Sequence, residues 1–437
     1  METIFTAIDL FAGIGGIRLG FEQAFGKEIK FVFSNEIDSY SCETYEANFG
    51  ENPLGDITEI NPNSIPHFDI LLAGFPCQAF SIAGEKRGFN DTRGTLFFNL
   101  AEILKIKKPV AFLLENVKHL LNHDKGRTFQ VISDVLIEDL GYNIHFKVLN
   151  AKNFGVPQNR ERIYIVGFKN NYQFKFPKPF NIPVKISEIL EDKVDDSFYL
   201  SHEYLTGLKN HRARHEAKGN GFGYVVIPRD QIANAIVCGG MGKERNLVKD
   251  VILPNCWKEK DDDIQLRNAE GIRKMTPREW ARLQGFPESF EFPVSKTRIY
   301  RQLGNSVAVP VIKAIALEIK KSLHESIIIE HPPFLKNNKE ILIVLQKMFK
   351  AGAIPKSGKK FIKSFGKFIN DNYLRVYDFQ KFLKKLEKYS LITRINVNQI
   401  KFTREILNSS SEEDFSNNLQ NFLQKTNNQL TLLDYSR

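Results

Sequence analysis

The 437-residue chain is predicted to be an α/β protein built on a mainly parallel sheet, with a smaller, mostly β insert and a basic helical extension. Three observations carry this reading. Short apolar runs alternate with helix-like stretches from residue 4 to residue 168. The first run opens into a glycine-rich turn of the nucleotide-binding kind. The alternation stops near residue 170 and resumes near 269. The expected boundaries are 1–169 for the first part of the sheet domain, 170–268 for the insert, 269–325 for the completion of the sheet domain and 326–437 for the extension.

Ile4 to Leu10 reads as a strand running into Phe11-Ala12-Gly13-Ile14-Gly15-Gly16 and a helix. Gly13 and Gly15 fit the start of a dinucleotide fingerprint, but Arg18 stands where its third glycine belongs, which favours another adenosine cofactor over NAD. The next strand, Phe31 to Ser34, ends at Asn35-Glu36. Such folds place a carboxylate there for ribose hydroxyls, and a simple helix cap is the plainer alternative. Gly55-Asp56 offers a second carboxylate that could bind an adenine amino group; alone it reads as a turn aspartate.

Ile70 to Ala73 is short enough for a buried strand and stops at Gly74-Phe75-Pro76-Cys77-Gln78. Cys77 thus falls where open α/β sheets bind ligands, making it a candidate nucleophile, against the reading of an inert buried thiol. The loop from Ser81 to Gly94 is small, polar and basic, and with Arg87 suits a lid closing over a phosphodiester backbone. A helix over Thr95–Lys107 and a strand over Val110–Leu114 follow. That strand ends at Glu115-Asn116-Val117, so an acid and the nucleophile would lie at carboxyl ends of parallel-type strands.

A helix over Thr128–Leu140 and strands over Asn143–Val148 and Arg162–Phe168 complete the sheet. Between those strands lies Gln158-Asn159-Arg160-Glu161-Arg162, whose alternating arginines would share a face and suit phosphate or base contacts, unless they are surface charge. After the insert, Thr276-Pro277 with Glu279 is a capping-box helix start. Gly304-Asn305-Ser306-Val307 then leads into an apolar-faced helix reaching Ile319.

The net charge of +10 suits a polyanionic partner. Residues 347–388 hold twelve Lys/Arg against three Asp/Glu among regularly spaced aromatics, which reads as a small basic helical core before a polar end. Cys42, Cys77, Cys238 and Cys256 lie far apart without metal-ligand spacing, so no metal site is expected. Neither a signal-like start nor a run of about eighteen apolar residues is present, so a soluble, cytoplasmic protein without membrane contact is expected.

Asp9-Leu10-Phe11-Ala12-Gly13-Ile14-Gly15-Gly16, Asn35-Glu36, Gly74-Phe75-Pro76-Cys77-Gln78-Ala79-Phe80-Ser81, Glu115-Asn116-Val117, Gln158-Asn159-Arg160-Glu161-Arg162 and Gly304-Asn305-Ser306-Val307 occur in that order. Together they resemble the cytosine-C5 DNA methyltransferases of bacterial type II restriction-modification systems, over about Thr3 to Lys320. The resemblance implies a Rossmann-like sheet domain that binds S-adenosylmethionine, and an inserted target-recognition domain, with double-stranded DNA held between them.

By match to the family's motifs, Phe11, Gly13, Gly15, Glu36, Asp56 and Asn305 would line the cofactor site. Cys77, Glu115, Arg160 and Arg162 would face a flipped-out cytosine, and Gln78, Ser81 and Arg87 would contact DNA. The chain after Asn305 would pack back against the first motif. Residues 215–224 resemble the recognition domain of members that modify sites beginning with two cytosines. The enzyme would act as a monomer that shares its site with a restriction endonuclease it need not bind. An RNA cytosine-C5 methyltransferase and a catalytically silent DNA-binding regulator are the rival readings.

Overall fold

The computed structural model describes residues 4–76, 96–170, 172–180, 182–220, 223–239, 243–250, 268, 270–325, 392–396 and 399–402. Cys77, Gln78, Ser81, Arg87 and the aromatic basic stretch 347–388 lie outside the described residues. The chain divides into two units, Met1–Ile328 and Ile329–Arg437.

In the first unit β1 (Phe5–Leu10) leads to α1 (Gly16–Phe25), β2 (Ile29–Asn35) to α2 (Ser39–Phe49), and β3 (Ile70–Ala73) is followed by α3 (Leu96–Lys107). Then come β4 (Ala111–Val117), α4 (Arg127–Asp134, continued by a turn of π-helix), β5 (Asn143–Asn150), β6 (Gln158–Asn159) and β7 (Glu161–Phe168). The six-stranded sheet has the order β2-β1-β3-β4-β7-β5. The first four strands are parallel, whereas β7 runs antiparallel to both neighbours. That reversal brings the start of β7 to the carboxyl end of β4, where Val117 pairs with Arg162. Because the chain leaves β2 at the edge and returns past β1 to β3, β1 and β3 flank a topological switch point.

Side chains alternate between the faces as the strand period requires. Ala7, Ile70, Leu72 and Leu113 pack with Ile17 and Phe21 of α1, whereas Ile8, Leu71, Phe112 and Leu114 pack with Leu100 and Leu104 of α3. Phe21 has no exposed surface, and burial of such a side chain contributes roughly 1.5–3 kcal/mol.

The insert begins after β7. Among its described residues the longest regular element is a helix, α5 (His202–Glu216), anchored by Leu205 and Leu208, and the strands are short: β8 (Ala233–Asn234) and β9 (Leu247–Lys249). A polar run with only two buried leucines carries little helical periodicity, which is why the helix was not apparent from sequence. β8 pairs with β6, and β9 pairs with β10 (Ile272–Lys274). The fully buried guanidinium of Arg273 forks onto both oxygens of Glu279 at 2.8 Å and also pairs with Asp250 of the insert. A charge buried this deeply is tolerated because it is doubly paired, and losing either acid would leave it only half compensated.

The first unit closes with α6 (Pro277–Leu283), α7 (Lys296–Asn305) and α8 (Val309–His324). Thr276 and Glu279 form the expected capping box. α8 lies on α1, and Gly20 permits the approach, since a Cβ there would stand 2.6 Å from Ile312 Cβ. The chain after Asn305 therefore returns to the first turn, as expected.

In the second unit, the described residues form an antiparallel pair, β11 (Ile392–Asn396) with β12 (Gln399–Phe402). They fall inside the extension expected to be mainly helical, between its basic aromatic stretch and its polar end.

Candidate active site

The β1–α1 turn is held open by its backbone. Phe11 adopts φ 54° and Gly13 φ 56°, conformations that only glycine takes freely, so Phe11 carries strain of about 1–3 kcal/mol. A Cβ on Gly13 would meet nothing within 4 Å, so the turn faces open space. Gly15, also left-handed, has a different neighbour. A Cβ there would stand 2.7 Å from Phe49 Cζ, so this glycine serves the packing of α1 on α2.

Arg18, in place of a third glycine, buries its guanidinium between the rings of Phe31 and Phe49, 4.6 and 4.3 Å from their centroids. It also pairs with Glu22 and Glu51. Below it, Asp9 is fully buried without a hydrogen-bond partner among the described residues, and desolvation pushes its carboxyl well above the usual range.

Glu36 stands at the end of β2. Its Oε2 accepts from Gly13 N at 2.7 Å, and its Oε1 accepts from Ile37 N at 3.0 Å and Asp38 N at 2.9 Å. The helix-cap role falls to Asp38, which accepts from Ser41 N. A carboxylate has about four acceptor positions, so one on Oε2 remains for a ligand. Asp56 is held beside this group because Gly55 N donates to Glu36 O at 2.9 Å; one of its oxygens accepts from Thr58 N and Oγ1, which lowers its pKa.

Two apolar side chains flank Glu36 that sequence reasoning passed over: Ile37 is 67% and Leu54 58% exposed. Exposed apolar surface beside a carboxylate and an open glycine turn suits a flat heterocycle bound through its ribose. The residues thus fit an adenosyl cofactor. Asn305, the exposed last residue of α7, adjoins Ser306, whose Oγ would lie 2.7 Å from a Cβ on Gly16.

At the end of β4, Glu115 Oε1 lies 3.2 Å from Arg162 Nε, and both side chains are largely buried. Burial raises the Glu115 pKa, and Arg162 and then Arg160 oppose that rise. The carboxylate faces Gly74, where a Cβ would be 3.7 Å from Oε2, three residues before Cys77. Asn116 donates from Nδ2 to Phe75 O at 2.8 Å, so the two strand ends are tied together.

Arg160 is near enough to act on Glu115, but its hydrogen bonds go elsewhere. Its Nη1 donates to Ile236 O at 2.8 Å, and its Nη2 donates to Gly304 O at 3.2 Å and to Ser306 O. The expected alternation breaks because Arg160 N bonds Gln158 O at 3.0 Å, closing a tight turn before β7 starts. Arg160 therefore holds backbone, and Arg162 holds the acid.

A family model described as C-5 cytosine-specific DNA methylase matches residues 5–321. Type II methyltransferase M.HpaII of Haemophilus parainfluenzae is 56% identical over 326 residues, covering 73% of this chain and 90% of that protein. M.SsoII of Shigella sonnei is 49% identical over 321 residues, 72% of this chain and 80% of that protein. The methyltransferase EhMeth of Entamoeba histolytica shares the fold at TM-score 0.58 and 19% identity, over 74% of this chain and 99% of its own. Dnmt2 of S. pombe does so at TM-score 0.58 and 21% identity, over 73% and 99%. The chain therefore belongs to the C-5 cytosine-specific DNA methylase family and is a DNA cytosine-C5 methyltransferase.

Proposed function

We propose that the enzyme binds S-adenosylmethionine on the Gly13–Glu36 edge and methylates C5 of a cytosine flipped out of a short site in double-stranded DNA. The observation that carries this is the Glu115–Arg162 pair at 3.2 Å, facing the strand end that leads to Cys77. Cytosine C5 is a poor nucleophile. Addition of the Cys77 thiolate to C6 gives it enamine character, while the Glu115 carboxyl delivers a proton to N3 as charge builds there.

Arg162 holds Glu115 and the C2 carbonyl oxygen of the base. Arg160 positions the Asn305 turn. Glu36 and Asp56 orient the cofactor, which supplies an electrophilic methyl group. After transfer, a base takes the C5 proton, Cys77 is eliminated from C6 as the thiolate, and N3 returns its proton to Glu115. Flipping costs roughly a few kcal/mol of stacking and pairing, met by contacts from Gln78, Ser81, Arg87 and the basic surface.

In this reading the protein is a cytoplasmic monomer that protects host DNA beside an endonuclease of the same specificity. Residues 215–224, at the end of α5 and beyond, contribute to a preference for a site beginning with two cytosines.

The test incubates the protein and a Cys77→Ser variant with labelled S-adenosylmethionine and either unmethylated plasmid or tRNA, followed by base-resolution mapping. Methylation at one recurring DNA site by the parent alone supports the reading. Label on tRNA alone, or on neither, overturns it.

A further inference from the structure

Three buried side chains connect the insert with the turn that carries Asn305. Gln158, Arg160 and Gln284 are 0–3% exposed and come from two separated stretches of chain. Gln158 Oε1 accepts from Ile236 N at 3.0 Å, while its Nε2 donates to Leu283 O at 2.8 Å and Gln284 Oε1 at 3.1 Å. Gln284 Nε2 donates in turn to Leu303 O at 2.8 Å and Ser306 O at 3.2 Å. Arg160 closes the circuit, binding Ile236 O on one side and the carbonyls of Gly304 and Ser306 on the other.

Ile236 thus has both its N–H and its C=O satisfied by side chains of the sheet domain, and the turn has three carbonyls held by the same cluster. No side chain intervenes between the two segments. A Cβ on Gly304 would stand 2.6 Å from Cys238 N and 2.8 Å from Val237 C, so the two backbones touch. On its far side the turn meets the first glycine motif, where Ser306 Oγ and Val307 Cγ2 would lie 2.7 and 3.0 Å from a Cβ on Gly16.

We propose that Gln158, Arg160 and Gln284 form a relay through which engagement of DNA by the insert sets the position of the Asn305 turn, and with it the affinity for the cofactor. This rests on the methyltransferase reading above and names the positioning residues that couple its two ligands. The physical warrant is shared acceptors in a buried site: a shift of Ile236 moves Gln158 and Arg160, and neither can follow without altering its bonds to Gln284, Gly304 or Ser306. Arg160 Nε is a buried donor with no acceptor among the described residues, so a carbonyl displaced from either segment has a second place to bind. That spare donor gives the relay two arrangements, which coupling between distant sites requires.

Calorimetric titration tests this. The Kd for S-adenosylhomocysteine is measured with and without saturating duplex carrying the mapped site, for the parent, Gln284→Met and Gln158→Met. The duplex is expected to tighten binding by about tenfold in the parent and by about twofold or less in both variants. A merely structural role would weaken each ligand and leave that ratio unchanged, so a parental ratio in either folded variant overturns the relay. Absence of coupling in the parent overturns it whatever the variants do. Failure of the parent to bind S-adenosylhomocysteine at all overturns the methyltransferase reading itself, and the relay with it.

Discussion

Replacing Gly304 by Ala adds one methyl group at the place where the insert touches the Asn305 turn. That methyl would stand 2.6, 2.8 and 2.9 Å from Cys238 N, Val237 C and Cys238 Cα, each half an ångström or more inside ordinary contact. All three atoms are backbone, so no side chain can swing aside. Overpacking of this kind costs about 1–3 kcal/mol. The contact also sits between two of the acceptors of Arg160, Ile236 O at 2.8 Å and Gly304 O at 3.2 Å. Stretching either bond to a charged donor forfeits part of the roughly 1.5–3 kcal/mol that such a bond contributes.

The expected loss is therefore about 2–4 kcal/mol, measured as a shift of the urea midpoint at constant slope. Cofactor affinity in the absence of DNA should weaken as well, because the turn is displaced. A variant with parental midpoint and parental cofactor affinity would refute the reasoning: the insert would then be free to move off the turn without cost.

Glu115→Gln preserves volume but removes the carboxyl proposed to protonate N3, so single-turnover methylation should slow by about 10²–10⁴-fold with folding retained; a loss below tenfold would exclude the acid role. Glu36→Ala frees three backbone N–H groups, of Gly13, Ile37 and Asp38, and S-adenosylhomocysteine affinity by calorimetry should fall at least tenfold. Asp9 bears on the pH dependence of stability. Its folded-state pKa lies above the unfolded value, so the folded protein binds the extra proton, and stability falls as pH rises from the unfolded pKa towards the folded one. Asp9→Asn removes that slope, and melting curves between about pH 5 and 8 should show the variant gaining on the parent as pH rises; parallel curves would sink the assignment.

Much of the sheet was legible because its strands are short, apolar and punctuated. Ile70–Ala73 matches β3 residue for residue, and Glu115 falls within the carboxyl end of β4, as its position after an apolar run implied. The glycine motif was legible in position but less so in role. Gly13 and Gly15 look equivalent in the sequence, yet one faces open space and the other faces the ring of Phe49, a residue 34 positions further on. Ile37 and Leu54 left a faint signal, apolar residues immediately after Glu36 and just before Gly55, but only burial shows that they remain uncovered.

Arg160 and Arg162 show where local rules stop. Period-two alternation assigns residues to faces only inside a ladder, and the ladder begins at Glu161. One residue earlier the chain is in a tight turn, and Arg160 is free to follow whichever carbonyls are nearest. Those carbonyls belong to Ile236, Gly304 and Ser306, up to 146 positions away. Arg162, inside the ladder, is fixed opposite Val117 and so beside Glu115. Two arginines of one short motif therefore divide the work: one pairs with Glu115 at the end of β4, and the other joins the insert to the Asn305 turn. Exchange of either for lysine would keep the charge but lose the planar fork that lets one side chain serve two separate segments at once.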